Sequence, residues 1–384
     1  MASEPSAAPR RPRLTPAVAD TRRAVRESLA DLVPMRAATT TAPTRAATTL
    51  RSHGEGTEHA SSSAAPLVLV ALSGGPDSLA LAAATAFEAP RLGLRAGAVV
   101  IDHGLQADSG AVANAAARAA RAMRLEPVSV ERVMVGLSMG PEAAARDARY
   151  ERLRREAGQL GAVAVLLGHS LDDQAETVLL GLARGSGTLS IAGMAAVAGL
   201  YRRPLLGLRR AVLARACVDQ GLEPWHDPHN DDERFARVRV RHSILPLLER
   251  DLDGGVIEAL ARTAAIARED AEALDHMVDE VAEDLTELAD GGCSLSVAGL
   301  AANPAALRHR LIRLVARSQF GASISRAQTL EVARLVTDWH GQGPVNLPGI
   351  RVERTGARIV FTLALEIEHR EGDVNPDEHE PDRH

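Results

Sequence analysis

Two hydroxyls, two glycines and a carboxylate fall together in Ser73-Gly74-Gly75-Pro76-Asp77-Ser78. An apolar run, Leu67 to Leu72, precedes them and a second begins at Leu79. This order predicts a buried strand, a tight turn and the start of a helix. Glycines let the backbone approach a ligand closely, and a helix N-terminus presents free N–H groups and the positive end of its dipole. A phosphate or pyrophosphate fits such a turn. Asp77 beside an anion needs a cation, and Mg²⁺ is suited because it bridges carboxylates and phosphates. An ordinary strand–turn–helix corner would explain Gly-Gly alone, but not the serines and the acid with it.

Three further segments carry clustered polar chemistry. Asp102 and His103 end a second apolar run, where side chains would meet a nucleoside. Gly168-His169-Ser170-Leu171-Asp172-Asp173-Gln174-Ala175-Glu176-Thr177 ends another. Ser170 and Asp173 have capping-box spacing, which starts a helix. The cap leaves His169, the second acid, Gln174 and Glu176 unexplained. On a helix Asp173, Glu176 and Thr177 share a face, so two carboxylates near Asp77 could share Mg²⁺ over a polyphosphate. Arg146 and Arg149 share a face of a predicted helix and suit a phosphate or nucleic-acid contact, although a solvated salt bridge from Glu142 to Arg146 explains the first equally well. In the segment Trp225 to Pro246, Arg237 and Arg241 share a helix face, and basic residues beside Phe235 suit RNA. A solvated basic helix is the plain alternative.

These motifs must be positioned by alternating elements. Apolar runs predict strands at 67–72, 97–102, 127–134 and 162–168, and helices at 77–87, 109–124, 141–158 and 172–184. Such order predicts an α/β fold, a Rossmann-like doubly wound parallel sheet whose ligands sit at the strands' carboxyl ends. A helix is expected over Leu14–Val33, and residues 36–65 read as a disordered insert. Composition shifts near 250, so 66–250 reads as a catalytic domain. A smaller, mostly helical domain would follow over 251–365, ending in a hairpin around Thr355-Gly356, and an acidic tail over 366–384.

Of the 384 residues 46% are hydrophobic, with no run long enough to span a membrane. Two cysteines, Cys217 and Cys293, form no metal or disulfide pattern, so the chain reads as cytoplasmic. Net charge is −6, but the tail from Glu366 to His384 alone carries eight acids and two arginines, so the remainder is balanced. All 44 basic residues are arginine. With no lysine anywhere, a Walker-type kinase or GTPase is excluded, and phosphate contacts fall to Arg, His, hydroxyls or backbone.

The motifs, taken in order, resemble those of the tRNA(Ile)-lysidine synthases, which are N-type ATP-pyrophosphatases. They are Ser73–Ser78, Asp102-His-Gly-Leu105, Glu142…Arg146…Tyr150, Gly168–Thr177, Arg203-Pro-Leu-Leu206 and Phe235-x-Arg237…Ile244-Leu-Pro246. The resemblance covers roughly 66–250 densely and 250–365 loosely. Departures are Ser170 for a second His, Gln106 for an Arg, Val238 for an Asn, and the 36–65 insert. The resemblance implies adenylylation of C2–O of cytidine 34 by ATP, then attack by free lysine. It implies ATP contacts from Ser73, Gly74, Gly75, Pro76, Asp77, Ser78, Asp102, His103 and His169. Mg²⁺ would lie on Asp77 and Asp173, with Arg146 and Arg241 joining these acids in catalysis. Arg149, Arg237 and Arg241 would contact tRNA(Ile) bearing a CAU anticodon. No membrane partner is implied, and a homodimer is allowed. The alternative is a tRNA-thiolating relative, which needs a sulfur-carrying thiol pair or an iron–sulfur site. A carboxamide-forming synthetase is a weaker option because its diagnostic segments are not evident, and a nucleotide-binding regulator would need no doubled acids.

Overall fold

A computed structural model describes residues 14–33, 65–102, 104, 108–132, 141–185, 187–289 and 291–364. His103, Gln106, the acidic tail and the 36–65 insert apart from its last residue lie outside the described residues. Contacts divide the chain into two units, Met1–Arg268 and Glu269–His384. The composition shift near residue 250 precedes this division, because helical sequence starts well before the second unit does.

In the first unit the strands are β1 (Leu67–Leu72), β2 (Arg95–Asp102), β3 (Val128–Arg132), β4 (Ala162–Leu167), β5 (Val197–Ala198) and β6 (Tyr201–Arg202). The helices are α1 (Pro16–Leu29), α2 (Pro76–Glu88), α3 (Ser109–Ala122), α4 (Pro141–Leu160), α5 (Leu171–Arg184), α6 (Thr188–Ile191), α7 (Arg210–Asp219), α8 (Ala236–Arg239) and α9 (Leu245–Asp251). The sheet order is β3-β2-β1-β4-β6-β5, parallel except for β5. β1 is buried along its whole length, as its unbroken apolar run requires of a central parallel strand. Its alternate residues feed two cores. Val68, Val70 and Leu72 pack with α1, α2, α3 and α7, while Leu67, Leu69 and Ala71 pack with Leu153 and Ala157 of α4. Each fully buried leucine on these faces contributes about 2 kcal/mol by leaving water.

β1 lies between β2 and β4, so the chain leaves it in opposite directions on its two sides. The carboxyl ends of β1 and β4 therefore flank a topological switch point, where open α/β sheets hold ligands. All three described motifs at strand ends converge on this edge.

A helix, α10 (Val256–Leu285), runs across the division. The second unit adds β7 (Thr286–Ala289), β8 (Gly292–Ser296), α11 (Val297–Ala302), α12 (Ala305–Phe320), α13 (Arg326–Thr337), β9 (Val345–Leu347), β10 (Ile350–Thr355) and β11 (Arg358–Leu363). Its antiparallel sheet has the order β7-β8-β11-β10-β9. The expected hairpin is its β10–β11 pair, turning at Gly356 with φ 58°. The core here is built from Phe361, Leu295, Leu311, Ile350 and their neighbours. No described helix is long and apolar enough to cross a membrane.

Candidate active site

The turn between β1 and α2 is braced by its own hydroxyls. Gly74 takes φ 84°, in the left-handed region that glycine enters without strain. Ser78 Oγ donates to Gly75 O at 3.0 Å, and accepts from Ser73 N–H at 3.2 Å. Ser73 Oγ lies 3.1 Å from Ser78 Oγ. Pro76 opens α2, where its missing N–H costs nothing. The peptide of Trp225 donates to Gly74 O at 2.9 Å and anchors the turn from outside.

Gly168, just after β4, comes against this helix start. A Cβ there would sit 3.1 Å from Ser78 N and Cα. Backbone cannot yield as a flexible side chain can, so Gly168→Ala should displace the turn. An expected consequence is a loss of about 10- to 100-fold in ATP–pyrophosphate exchange, with little loss of thermal stability. Unchanged exchange would show that the turn tolerates the shift.

Ser170 and Asp173 close the capping box at the start of α5. Ser170 N–H and Oγ donate to Asp173 Oδ2 at 2.8 and 2.7 Å, and Asp173 N–H returns a bond of 3.3 Å. The other oxygen of Asp173, Oδ1, accepts from Arg210 Nη2 at 2.8 Å and Arg241 Nη2 at 3.3 Å. Burial alone would raise the Asp173 pKa, but Arg210 and the Ser170 bonds outweigh it and hold the carboxyl below its usual range. One turn on, Glu176 is fully buried. Arg241 reaches it at 2.7 and 3.1 Å, Arg237 at 3.0 Å and Arg210 at 3.2 Å. Arg237 also donates to Thr177 Oγ1 at 2.8 Å. Arg237 starts from α8, and Arg241 from the π turn Val240–Ile244 that follows it. Such turns insert a residue into a helix and often mark functional sites.

Arg210, at the first position of α7, joins four acids, Asp173 and Glu176 as above and also Asp77 and Asp172. Its Nε lies 3.5 Å from Asp77 Oδ2, and its own N–H donates to Asp172 Oδ2 at 2.7 Å. Burial disfavours its charge, but Asp173, Glu176 and Asp77 overcome this and raise its pKa. Asp77 is less well served. Its Oδ1 is buried with no hydrogen-bond partner among the described residues. Burial is the main cause that pushes its carboxyl up to about 6, with Arg210 opposing and Asp173 adding.

This value makes the site pH-dependent. The folded pKa of Asp77 exceeds the ordinary 3.8, so the folded state holds this proton more tightly than the unfolded chain does. Protonated Asp77 therefore adds stability that is full below about pH 4 and lost as pH rises through about 6. In metal-free protein, the stability gap between wild type and Asp77→Asn should widen in the variant's favour across that window. Denaturant titrations from pH 4 to 8 measure it, and a gap independent of pH would contradict the placement.

A cavity of about 140 Å³ opens beside the turn, lined by Ser73, Ile101, Asp102, Arg149, Trp225 and Asp227 among others. Asp102 is buried and accepts from Gly104 N–H at 2.9 Å. Arg149, half-buried on α4, has its pKa lowered by burial. Arg146 is exposed and stacks over Tyr150 with its guanidinium carbon 5.3 Å from the ring centre. His169 is held neutral, its pKa pushed down to about 3 by burial and by Arg149, Arg203 and Arg237 against Asp173. Its Nδ1 is buried without a partner among the described residues.

Comparison with known proteins gives this geometry a family. A model described as the PP-loop domain matches residues 49–248, and one described as the TilS substrate binding domain matches 295–359. The chain is 58% identical over 296 residues to the tRNA(Ile)-lysidine synthase of Leifsonia xyli, covering 77% of this chain and 89% of that protein. It is 53% identical over 304 residues to that of Streptomyces coelicolor, covering 77% and 85%. It is 51% identical over 290 residues to that of Thermobifida fusca, covering 75% and 89%. The chain belongs to the tRNA(Ile)-lysidine synthase family.

In this member of the tRNA(Ile)-lysidine synthase family, Asp77, Asp173, Arg237 and Arg241 come together in one ionic cluster. Ser73, Asp102 and Arg149 meet in the adjoining cavity, while Arg146 stays at the surface. Arg210 is absent from the sequence expectations, and Glu176, whose helix face made it a candidate Mg²⁺ carboxylate, is instead bonded to three guanidiniums. Arg210 follows Arg203-Pro-Leu-Leu206 closely, and an arginine beside that motif is the signal the sequence offers. Both cysteines are buried and unpaired, and Cys217 donates its thiol to Pro76 O at 3.2 Å. Burial, then Asp77, pushes that thiol up to about 11, which makes it inert.

Proposed function

We propose that this protein ligates lysine to cytidine 34 in the CAU anticodon of tRNA(Ile), converting ATP to AMP and pyrophosphate. The cytidine C2 oxygen attacks the α-phosphorus and pyrophosphate leaves. The lysine amine then bonds to C2, loses a proton, and AMP leaves with the oxygen. The product, lysidine, would read AUA in place of AUG. Family membership supports the reaction, and the observation that carries the site is Asp77 Oδ1, buried and unpartnered at the helix start beside the Gly74-Gly75 turn.

In this reading the turn's N–H groups hold the departing pyrophosphate. Asp77 fits Mg²⁺ through its open Oδ1, and Asp173 would join it only by releasing Arg210 or Arg241, since this ion takes one or two carboxylates and completes its shell with phosphate and water. The ion would offset phosphate charge. Asp102 would meet the nucleoside and neutral His169 a phosphate. Arg241 would steady negative charge near the α-phosphate and, with Arg149 and Arg237, meet RNA, while Arg146, expected in catalysis, is exposed and would act at the RNA instead. The second unit would hold other parts of the tRNA.

Incubating the protein with ATP, lysine and a tRNA(Ile) transcript, followed by nucleoside mass spectrometry, tests the reading. A lysine-sized mass gain on cytidine 34 is expected. Incorporation of sulfur, or an unmodified cytidine with active protein, would overturn it.

A further inference from the structure

Arg203 follows β6 at the edge of the parallel sheet and is 8% exposed. Its guanidinium is held on two sides. Nη1 donates to Ala195 O at 2.8 Å and Nη2 to Tyr150 Oη at 3.4 Å. Its own N–H donates to Ala196 O at 2.8 Å, so the backbone below it is fixed as well. Tyr150 is steadied in turn. Tyr201 Oη donates to Tyr150 O at 2.8 Å, and the two rings meet edge to face with centres 4.9 Å apart. A further donor, Arg203 Nε, is buried and has no partner among the described residues. No acid among the described residues is bonded to this guanidinium. An arginine buried to this degree is ordinarily paired, and a rigid fork with a spare edge is suited to an incoming oxyanion.

We propose that Arg203 is a substrate-binding residue, presenting its Nε edge to an oxyanion of a small-molecule substrate, either a nucleotide phosphate or the carboxylate of the amino acid. The surroundings agree. Arg149, Arg203 and Arg237 all act on His169, with Asp173 the acid opposing them, and Asp173 is itself neutralised by Arg210. The low exposure of Arg203 suits a small ligand better than a polymer backbone crossing the surface. The inference rests on the proposed reaction, since that reaction supplies both oxyanions.

The test uses the full chain with tRNA(Ile) transcript and compares wild type with Arg203→Gln, Arg203→Lys and Tyr150→Phe. Arg203→Gln is expected to raise one KM about 10- to 100-fold while kcat changes less, and Arg203→Lys to recover part of it. If the anion is the carboxylate, the KM for lysine rises and turnover of cadaverine, which lacks that carboxylate, is unaffected. If it is a phosphate, the KM for ATP in pyrophosphate exchange rises. Tyr150→Phe, which frees one side of the fork, should raise the same KM severalfold, and it decides the matter if both Arg203 variants fail to fold. Both KM values within twofold of wild type in a folded variant would overturn the proposal and leave the reaction standing. Wild type that forms no lysidine would overturn the reaction and this inference with it.

Discussion

Asp77→Ala is expected to abolish ATP–pyrophosphate exchange, by about 1,000-fold or more, without destabilising the protein. A single preorganised group at developing charge is worth about 100- to 1,000-fold, and Asp77 would additionally hold the ion that offsets phosphate charge. Its Oδ1 is buried at the helix start and has no partner among the described residues. The same features make it a burden on the fold. Burial pushes its carboxyl up to about 6 against an ordinary 3.8, which corresponds to about 3 kcal/mol of disfavoured charge near neutral pH. The variant should therefore unfold at the same temperature as wild type or a few degrees above it. Near-native exchange in Asp77→Ala would remove Asp77 from the chemistry. A large drop in melting temperature would mean that the carboxylate holds the turn together instead.

Glu176→Ala should do the opposite and cost about 3–5 kcal/mol of stability. Glu176 is fully buried and bonds Arg210, Arg237 and Arg241. Removing one member of a buried ionic cluster leaves the others charged and out of water, a change in the 3–5 kcal/mol range. Arg210 would keep Asp173 and Asp77 and Arg241 would keep Asp173, but Arg237 would be left with Thr177 and the Asp173 carbonyl. Denaturant unfolding measures the loss, and a change below about 1 kcal/mol would show that water already screens the cluster. Activity should fall as well, because Arg210 also carries Asp77 and Asp173.

Much of this arrangement is legible in the sequence, for identifiable reasons. β1 and β4 are continuous apolar runs, and α5 starts at a capping box, so both strands and the helix start follow from pattern alone. The antiparallel sheet of the second unit is less legible beyond its hairpin. β7 is short and lies at the sheet edge, with Glu287 and Leu288 exposed, so neither alternation nor a buried run announces it. In the site, Asp77 and Asp173 stand in dense motifs, but Arg210 meets Asp173 across 37 residues of sequence. A pairing of that range comes from packing of α7 against α1 and α2, which no local pattern records. Arg237 and Arg241 were readable as one helix face. Their shared target, Glu176, lies more than 60 residues earlier.

The serine-braced turn has a thermodynamic consequence. A phosphate loop that is shapeless when empty loses conformational entropy as the nucleotide arrives, and that loss weakens affinity. Here Ser78 already joins Ser73 to Gly75, and Trp225 already holds Gly74. The ordering is complete once the chain has folded. Nucleotide association at this turn is therefore docking onto a formed surface, and its heat-capacity change should reflect the area covered rather than segments becoming structured.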